Sequence, residues 1–243
     1  MLAVEGLPEI EPGAPLGAML AAAAEPGDGD VLVVSQKVVS KAEGRVADLA
    51  SVEPGERARE LAAEHDKDPR VVELVLRESR RIVRAERGVL IAETNGGWVC
   101  ANAGIDASNV AADGSVALLP EDADASARRL RAEIEAAAGT RPAVVVADSF
   151  GRPWRLGQVD VAIGCAGLAV LDDWRGRTDR DGRELEATEV AVADQAAAAA
   201  DLVRDKDAGL PAALVRGLGR FVTAEDGPGA VALQRPAGED LFR

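Results

Sequence analysis

The stretch PAVVVADSFGRPWRLGQVDVAIGCAG, residues 142–167, decides how the chain is read. Its apolar, β-branched run from Ala143 to Ala147 predicts a buried strand that ends at an acid, Asp148. Beyond that acid, Ser149, Arg152, Trp154, Arg155, Gln158 and Asp160 stand between glycines. A plain surface turn needs neither a Trp nor two Arg and two acids in so short a span. The segment reads as a holder of something polar and charged.

Working outward, DVLVVSQKVV (30–39) predicts a second strand, Val31 to Val34, entered from the turn EPGDGD and leaving into a loop of Ser, Lys and Gly. Residues 55–65 and 71–79 have helical spacing, the latter through Val71, Leu74 and Val75. GVLIAET and WVCANAG read as two strands joined at Asn95-Gly96-Gly97, a hairpin signal. Asp124 to Ala138 predicts an amphipathic helix stopped by Gly139, with Pro142 beyond. TEVAVADQAAAAADLV (188–203) predicts another, with Glu189 in its opening turn. Strands and helices mix without a regular βαβ repeat, so the expected class is α+β. No Pro- or Ser-rich linker divides the chain, and one domain spanning 1–243 is expected.

Composition excludes several functions. The formal net charge is -14, from 28 Lys and Arg against 42 Asp and Glu, which argues against general nucleic-acid binding. A small anionic substrate remains open, provided that a few Lys or Arg, or a metal held by carboxylates, neutralise it locally. The single histidine, His65, lies in the polar EHDKDPR and reads as a solvated helix end; the two cysteines, Cys100 and Cys165, read as buried free thiols. His-dependent triads and paired-Cys zinc sites are therefore out. The absence of a long apolar run or a leader-like start sets the expectation of a cytoplasmic protein with no membrane span. There is no G-x-x-x-x-G-K-[ST], and Gly27-Asp28-Gly29 precedes its strand where a Rossmann fingerprint follows one.

Four polar constellations remain. SQKVVSKAEGR (35–45) sets Ser35, Lys37, Ser40, Lys41 and Arg45 after a strand, a set suited to phosphate oxygens or to a solvated basic loop. NAGIDASNV (102–110) offers Asn102, Asp106, Ser108 and Asn109, short oxygen ligands suited to a hard cation such as Mg²⁺ or to an Asx turn. The third is the opening stretch. There Asp148 and Ser149 suit a metal, Arg152 and Arg155 a carboxylate or phosphate, and Trp154 a flat ring or simple packing. Glu184, Glu186, Glu189 and Asp194 are the fourth, around a helix start.

The order of these blocks carries a resemblance. GLPEI (6–10), KVVSKAEGR (37–45), GIDASN (104–109), ADSFGRPWRLGQVDVAIGCAG (147–167) and TEVAVADQ (188–195) resemble the coenzyme F420-0:L-glutamate ligase family in order and approximate spacing. That resemblance implies an α+β intertwined homodimer without an added C-terminal flavin-reductase-like domain. It implies GTP as co-substrate, Mg²⁺ or Mn²⁺ as divalent metal with K⁺ as an accessory ion, and L-glutamate joined to F420-0 through an acyl phosphate, with longer γ-linked tails from further cycles. Carried over by motif, Leu7, Pro8, Glu9 and Ile10 line the GTP site, Lys41 with Gln36 or Lys37 contacts its phosphates, and Asn109 contacts the nucleotide. Asp106 and Asp148 hold metal, Ser149 a second metal, and Glu189 is added to the metal set. Arg152, Trp154, Arg155 and Gln158 face F420-0 or glutamate, and Asp106, Asp148 and Arg152 form the catalytic group. A paralogous ligase with another carboxylate acceptor, or a non-catalytic GTP- or metal-binding relative, would carry the same motifs.

Overall fold

The computed structural model describes residues 1–106 and 114–240. In chain order the elements begin with β1 (Leu2–Ala3), α1 (Leu16–Ala24), β2 (Val31–Ser35), α2 (Gln36–Ala42) and β3 (Val46–Asp48). Next come α3 (Glu56–His65), α4 (Pro69–Arg77), β4 (Ser79–Glu86), β5 (Val89–Thr94), β6 (Val99–Ala101) and β7 (Ser115–Ala117). After α5 (Ala123–Ala138) follow β8 (Ala143–Arg152), β9 (Arg155–Ala166), β10 (Leu171–Asp173), β11 (Glu189–Ala191), α6 (Val192–Asp201) and β12 (Ala212–Val215).

The main sheet runs β1-β12-β2-β8-β9, with β2 and β8 parallel and the other neighbours antiparallel. A three-stranded β4-β5-β6 sheet and two small pairs, β3-β7 and β10-β11, complete a mixed α+β architecture, as expected. The unbroken apolar runs of β2 and β8 have a direct cause: both faces of these strands are covered. Leu32, Val34, Val144 and Val146 pack toward α1 and α5 with Leu20, Leu130 and Ile134. Val31, Val33, Val145 and Ala147 pack toward α6 with Ala193, Ala196 and Ala197. The alanine run of α6 lets that helix lie close to the sheet. The 55–65 and 71–79 helices appear as α3 and α4, and together with β5 they bury a separate small core around Leu61, Val72, Val75 and Leu90. The Asn95–Gly97 hairpin joins β5 to β6, and α5 ends at Gly139 in the left-handed region, φ 72.

Four local expectations are corrected. The segment after β2 is not a loop: Ser35 caps it through a bond from the Lys37 amide, and it forms α2, with Val38 and Val39 buried. β8 does not stop at Asp148 but continues to Arg152, where the two-residue turn Pro153–Trp154 sends the chain back along β9. TEVAVADQ does not open a helix at Glu189: residues 189–191 form β11 against β10, with Glu189 opposite Asp173, because pairing with that strand outweighs the weak strand preference of Glu189 and Ala191. His65 does end α3, yet its ring is buried rather than solvated, with the side chain 6% exposed.

Candidate functional site

The parallel pairing of β2 and β8 ends with Ser35 opposite Ala147 in register, where β2 stops and β8 runs on. In open sheets the carboxyl ends of parallel strands are where ligands are received. A cleft of about 910 Å³ lies there. One wall is Leu7 to Ile10; α2 contributes Lys37 and Lys41, and the β8–β9 arms contribute Asp148, Ser149, Gln158 and Asp160. Asp106 and the segment from Asp201 to Pro211, including Arg204 and Lys206, close it.

Local backbone devices aim these groups. Between β8 and β9 the register slips, so that Val146 faces Gly164 while Ala147 faces Ala162; the extra residue, Ile163, is a bulge on β9 across from the Val146–Ala147 link. Bulges redirect the side chains that follow them. Ser149 then faces Asp160 across the ladder, and its hydroxyl donates to Asp160 Oδ1 at 2.6 Å. Lys37 Nζ lies 2.9 Å from Asp106 Oδ2, and Lys41, itself nearly buried, is paired with Glu9.

Cations and acids are interleaved across this space. Burial pushes the Asp148 carboxyl up to about 7, and the nearby Asp160 and Asp106 carboxylates add to the rise, against the Ser149 amide and Lys37. A carboxyl raised by burial and by like charges is relieved by an approaching cation, so Asp148 with Asp106 fits a divalent metal ion chemically. Among the described residues, no three His, Cys, Asp or Glu side chains are grouped closely enough to hold a metal alone. The remaining positions of such an ion would fall to substrate oxygens or water, the habit of Mg²⁺ at phosphates.

Of the other candidates the structure keeps some in the cleft and moves some out. Leu7, Pro8, Glu9, Ile10, Lys37, Lys41, Asp106, Asp148, Ser149 and Gln158 line it together. Gln36 does not: it is 1% exposed, inside α2, accepting from the Ser40 hydroxyl at 2.9 Å. Arg152, Trp154 and Arg155 sit at the β8–β9 tip instead of the cleft wall. Trp154 is 81% exposed with φ 59, and Arg152 is bonded to the Leu156 and Gly157 carbonyls. Glu189 is likewise elsewhere, paired with Arg175 at 3.0 Å on the β10–β11 ribbon. Glu184 and Glu186 are exposed in the connection before β11. Asp194 is structural: it accepts from the Ala162 amide at 2.9 Å and burial raises its pKa. Ser108 and Asn109 lie outside the described residues. Cys100 and Cys165 are buried and free as expected, and burial pushes both thiols up to about 12, which leaves them unreactive.

Three cleft residues went unremarked in the sequence as site residues: Asp160, Arg204 and Lys206. Asp160 stands in the 147–167 block without an assigned role, and no motif marks Arg204 or Lys206. The one usable signal is position: both cations lie in the connection from α6 to β12, the strand that borders β2.

Comparison with known proteins agrees with this geometry. A family profile described as F420-0:gamma-glutamyl ligase matches residues 6–217, a span that contains every cleft residue from Leu7 to Pro211. A protein of Methanopyrus kandleri named coenzyme F420:L-glutamate ligase is 46% identical, over 100% of this chain and 98% of its own. One of the same name from Methanothermobacter thermautotrophicus is 42% identical, again over 100% of this chain and 98% of its own. A third, from Haloarcula marismortui, is 46% identical over 89% of this chain and 86% of its own. Likeness of this degree, continuous from the first wall of the cleft to the last strand of its sheet, establishes that the chain belongs to the F420-0:gamma-glutamyl ligase family.

Proposed function

We propose that the chain is a GTP- and divalent-metal-dependent ligase that adds L-glutamate to coenzyme F420-0. The observation that carries this reading is the company the cleft keeps: Lys37 and Lys41 on α2, each paired with an acid (Asp106 and Glu9), lie in one cleft with Asp148, the residue of β8 just beyond its pairing with β2. Two anions, a triphosphate and a carboxylate, must meet there in a protein of net charge -14. Lysines on phosphate oxygens and carboxylates that attract a metal ion meet that demand together.

In the first step a carboxylate oxygen of F420-0 bonds to the γ-phosphorus of GTP. The bond from that phosphorus to the β–γ bridging oxygen breaks, and GDP leaves with the electron pair. Lys37 and Lys41 bind the phosphate oxygens, and the Leu7–Ile10 wall holds the nucleotide. Asp106 and Asp148 would hold the divalent cation, which supplies neutralising charge at the transferred phosphoryl group. In the second step the glutamate ammonium gives a proton to solvent, its amine attacks the acyl carbon, and the C–O bond to phosphate breaks, the departing phosphate taking up the second amine proton. The product is an amide, with inorganic phosphate released; further cycles would lengthen the γ-linked tail.

The whole chain acts as one domain in this reading, in the cytoplasm and as a homodimer. Trp154 and Leu156, 81% and 96% exposed at the β8–β9 tip, support an association that covers them. No helix among the described residues is long and apolar enough to cross a membrane. The test is phosphate release from GTP measured with F420-0 and with L-glutamate separately and together. Release that requires both is expected; release indifferent to F420-0 would overturn the acceptor assignment.

A further inference from the structure

The half of the cleft around Ser149 is furnished differently from the half around Asp148. Ser149 Oγ donates to Asp160 Oδ1 at 2.6 Å and accepts from Lys206 Nζ at 2.8 Å. The second oxygen of Asp160 is ion-paired with Arg204, and the two side chains are only 5% and 6% exposed. Arg204 also donates to the Pro211 carbonyl at 3.4 Å. The family resemblance implies a second metal ion at Ser149. Such an ion would need a hydroxyl oxygen clear of other cations and a carboxylate with charge to spare. At the Ser149 hydroxyl neither is at hand: an ammonium group occupies the hydroxyl, and a buried guanidinium neutralises Asp160, the carboxylate bonded to it, although Asp201, Asp205 and Asp207 also line the cleft. A dication placed beside both would be repelled by two fixed positive charges. The residues at Ser149 therefore do not fit a second metal.

We propose that Arg204 and Lys206 stand in place of that second ion, so that the reaction in this chain runs with a single divalent cation. This rests on the ligase reading above. Lys206 is the acting cation. Its ammonium has three donor hydrogens, of which the Ser149 contact uses one, leaving two for the oxygens of a phosphoryl group. Arg204 is a positioning residue: buried and always charged, it fixes Asp160, and Asp160 fixes the Ser149 hydroxyl that Lys206 leans on. The arrangement stabilises the same charge that a second metal would, using groups that cannot dissociate.

Counting bound Mn²⁺ by electron paramagnetic resonance, in the full chain with a non-hydrolysable GTP analogue, tests this apart from activity. One Mn²⁺ per chain at saturation is the expected result. Two would overturn the proposal while leaving the ligase reading intact, whereas none would overturn both. Lys206 is exposed, so its variants should fold, which a thermal melt verifies. Lys206→Gln should lower kcat for F420-0 glutamylation on the order of 10²-fold with the Mn²⁺ count unchanged. Lys206→Arg, which keeps the charge, should recover most of that loss. A Gln variant with unaltered kcat would also overturn the proposal.

Discussion

Asp148 is placed where it harms the empty protein and serves the loaded one. Its folded-state carboxyl holds a proton up to about 7, because of burial first and neighbouring carboxylates second, against an ordinary value of 3.8. Between those values the folded state binds more protons than the unfolded one. The stability this group contributes is therefore fully present below the lower value and is lost as pH rises through the upper one. Asp148→Asn removes the charge, so the metal-free variant should be more stable than the parent at pH 8, by on the order of 1–3 kcal/mol, with the gap closing as pH falls toward 3.8. The same variant should have lost glutamylation, since the proposed metal site needs the charge. A second residue tests the scaffold. Arg131, 1% exposed, donates to the Pro142, Thr223 and Ala224 carbonyls and to Asp226, tying the segment after β12 to α5. Arg131→Met should cost about 1–3 kcal/mol in urea denaturation by leaving the buried Pro142 carbonyl unpaired and untying Asp226 from α5. At this scale the sequence was legible where a motif named the chemistry: Glu9, Lys41, Asp106, Asp148 and Ser149 share one cleft. It was illegible where a charge is paired in space, because nothing near Asp160 in the chain announces Arg204, forty-four residues on.

At the scale of elements, the site depends on how closely α5 rides over the β8–β9 pair. Gly164 sits under the start of that helix, and a Cβ added there would stand 2.1 Å from the Ala123 carbonyl oxygen. Backbone cannot yield as a side-chain tip can, so Gly164→Ala should lower the melting temperature by several degrees, a cost of about 1–3 kcal/mol. An unchanged melt would mean that the helix start gives way more easily than its packing suggests. The β8–β9 tip makes a separate claim. Replacing Trp154 and Leu156 together by Ser should leave the fold intact, since both side chains are exposed, and should convert the proposed dimer to a monomer in light scattering. Elements with strong local patterns were legible: β2 and β8 as apolar runs, α5 from its spacing and its closing glycine. Those decided by distant partners were not. β11 exists because β10 is there to pair with it, and the extension of β8 past Asp148 exists because β9 pairs with it as far as Arg155, through a turn in which Trp154, not a glycine, takes the left-handed position. α2 was misread for a different reason. Its polar residues resemble a loop, while its helical character rests on one cap at Ser35 and two buried valines.

For the molecule as a whole, the requirement set by charge is met by structure: an acidic chain concentrates Lys37, Lys41, Arg204 and Lys206 in one cleft beside Asp106 and Asp148. The fold class was legible from the irregular mixing of strands and helices, and the position of the cleft from the strand ends that carry the motifs. The sheet order was not, since β12 inserts between β1 and β2 from the far end of the chain. The measurement that bears most directly on function is mass spectrometry of F420-0 incubated with the protein, GTP, Mn²⁺ and L-glutamate. Products heavier by whole glutamyl units, absent when GTP is omitted, are the expected result. An unchanged mass for F420-0, in a folded and metal-supplied sample, would contradict the assignment of F420-0 as the acceptor.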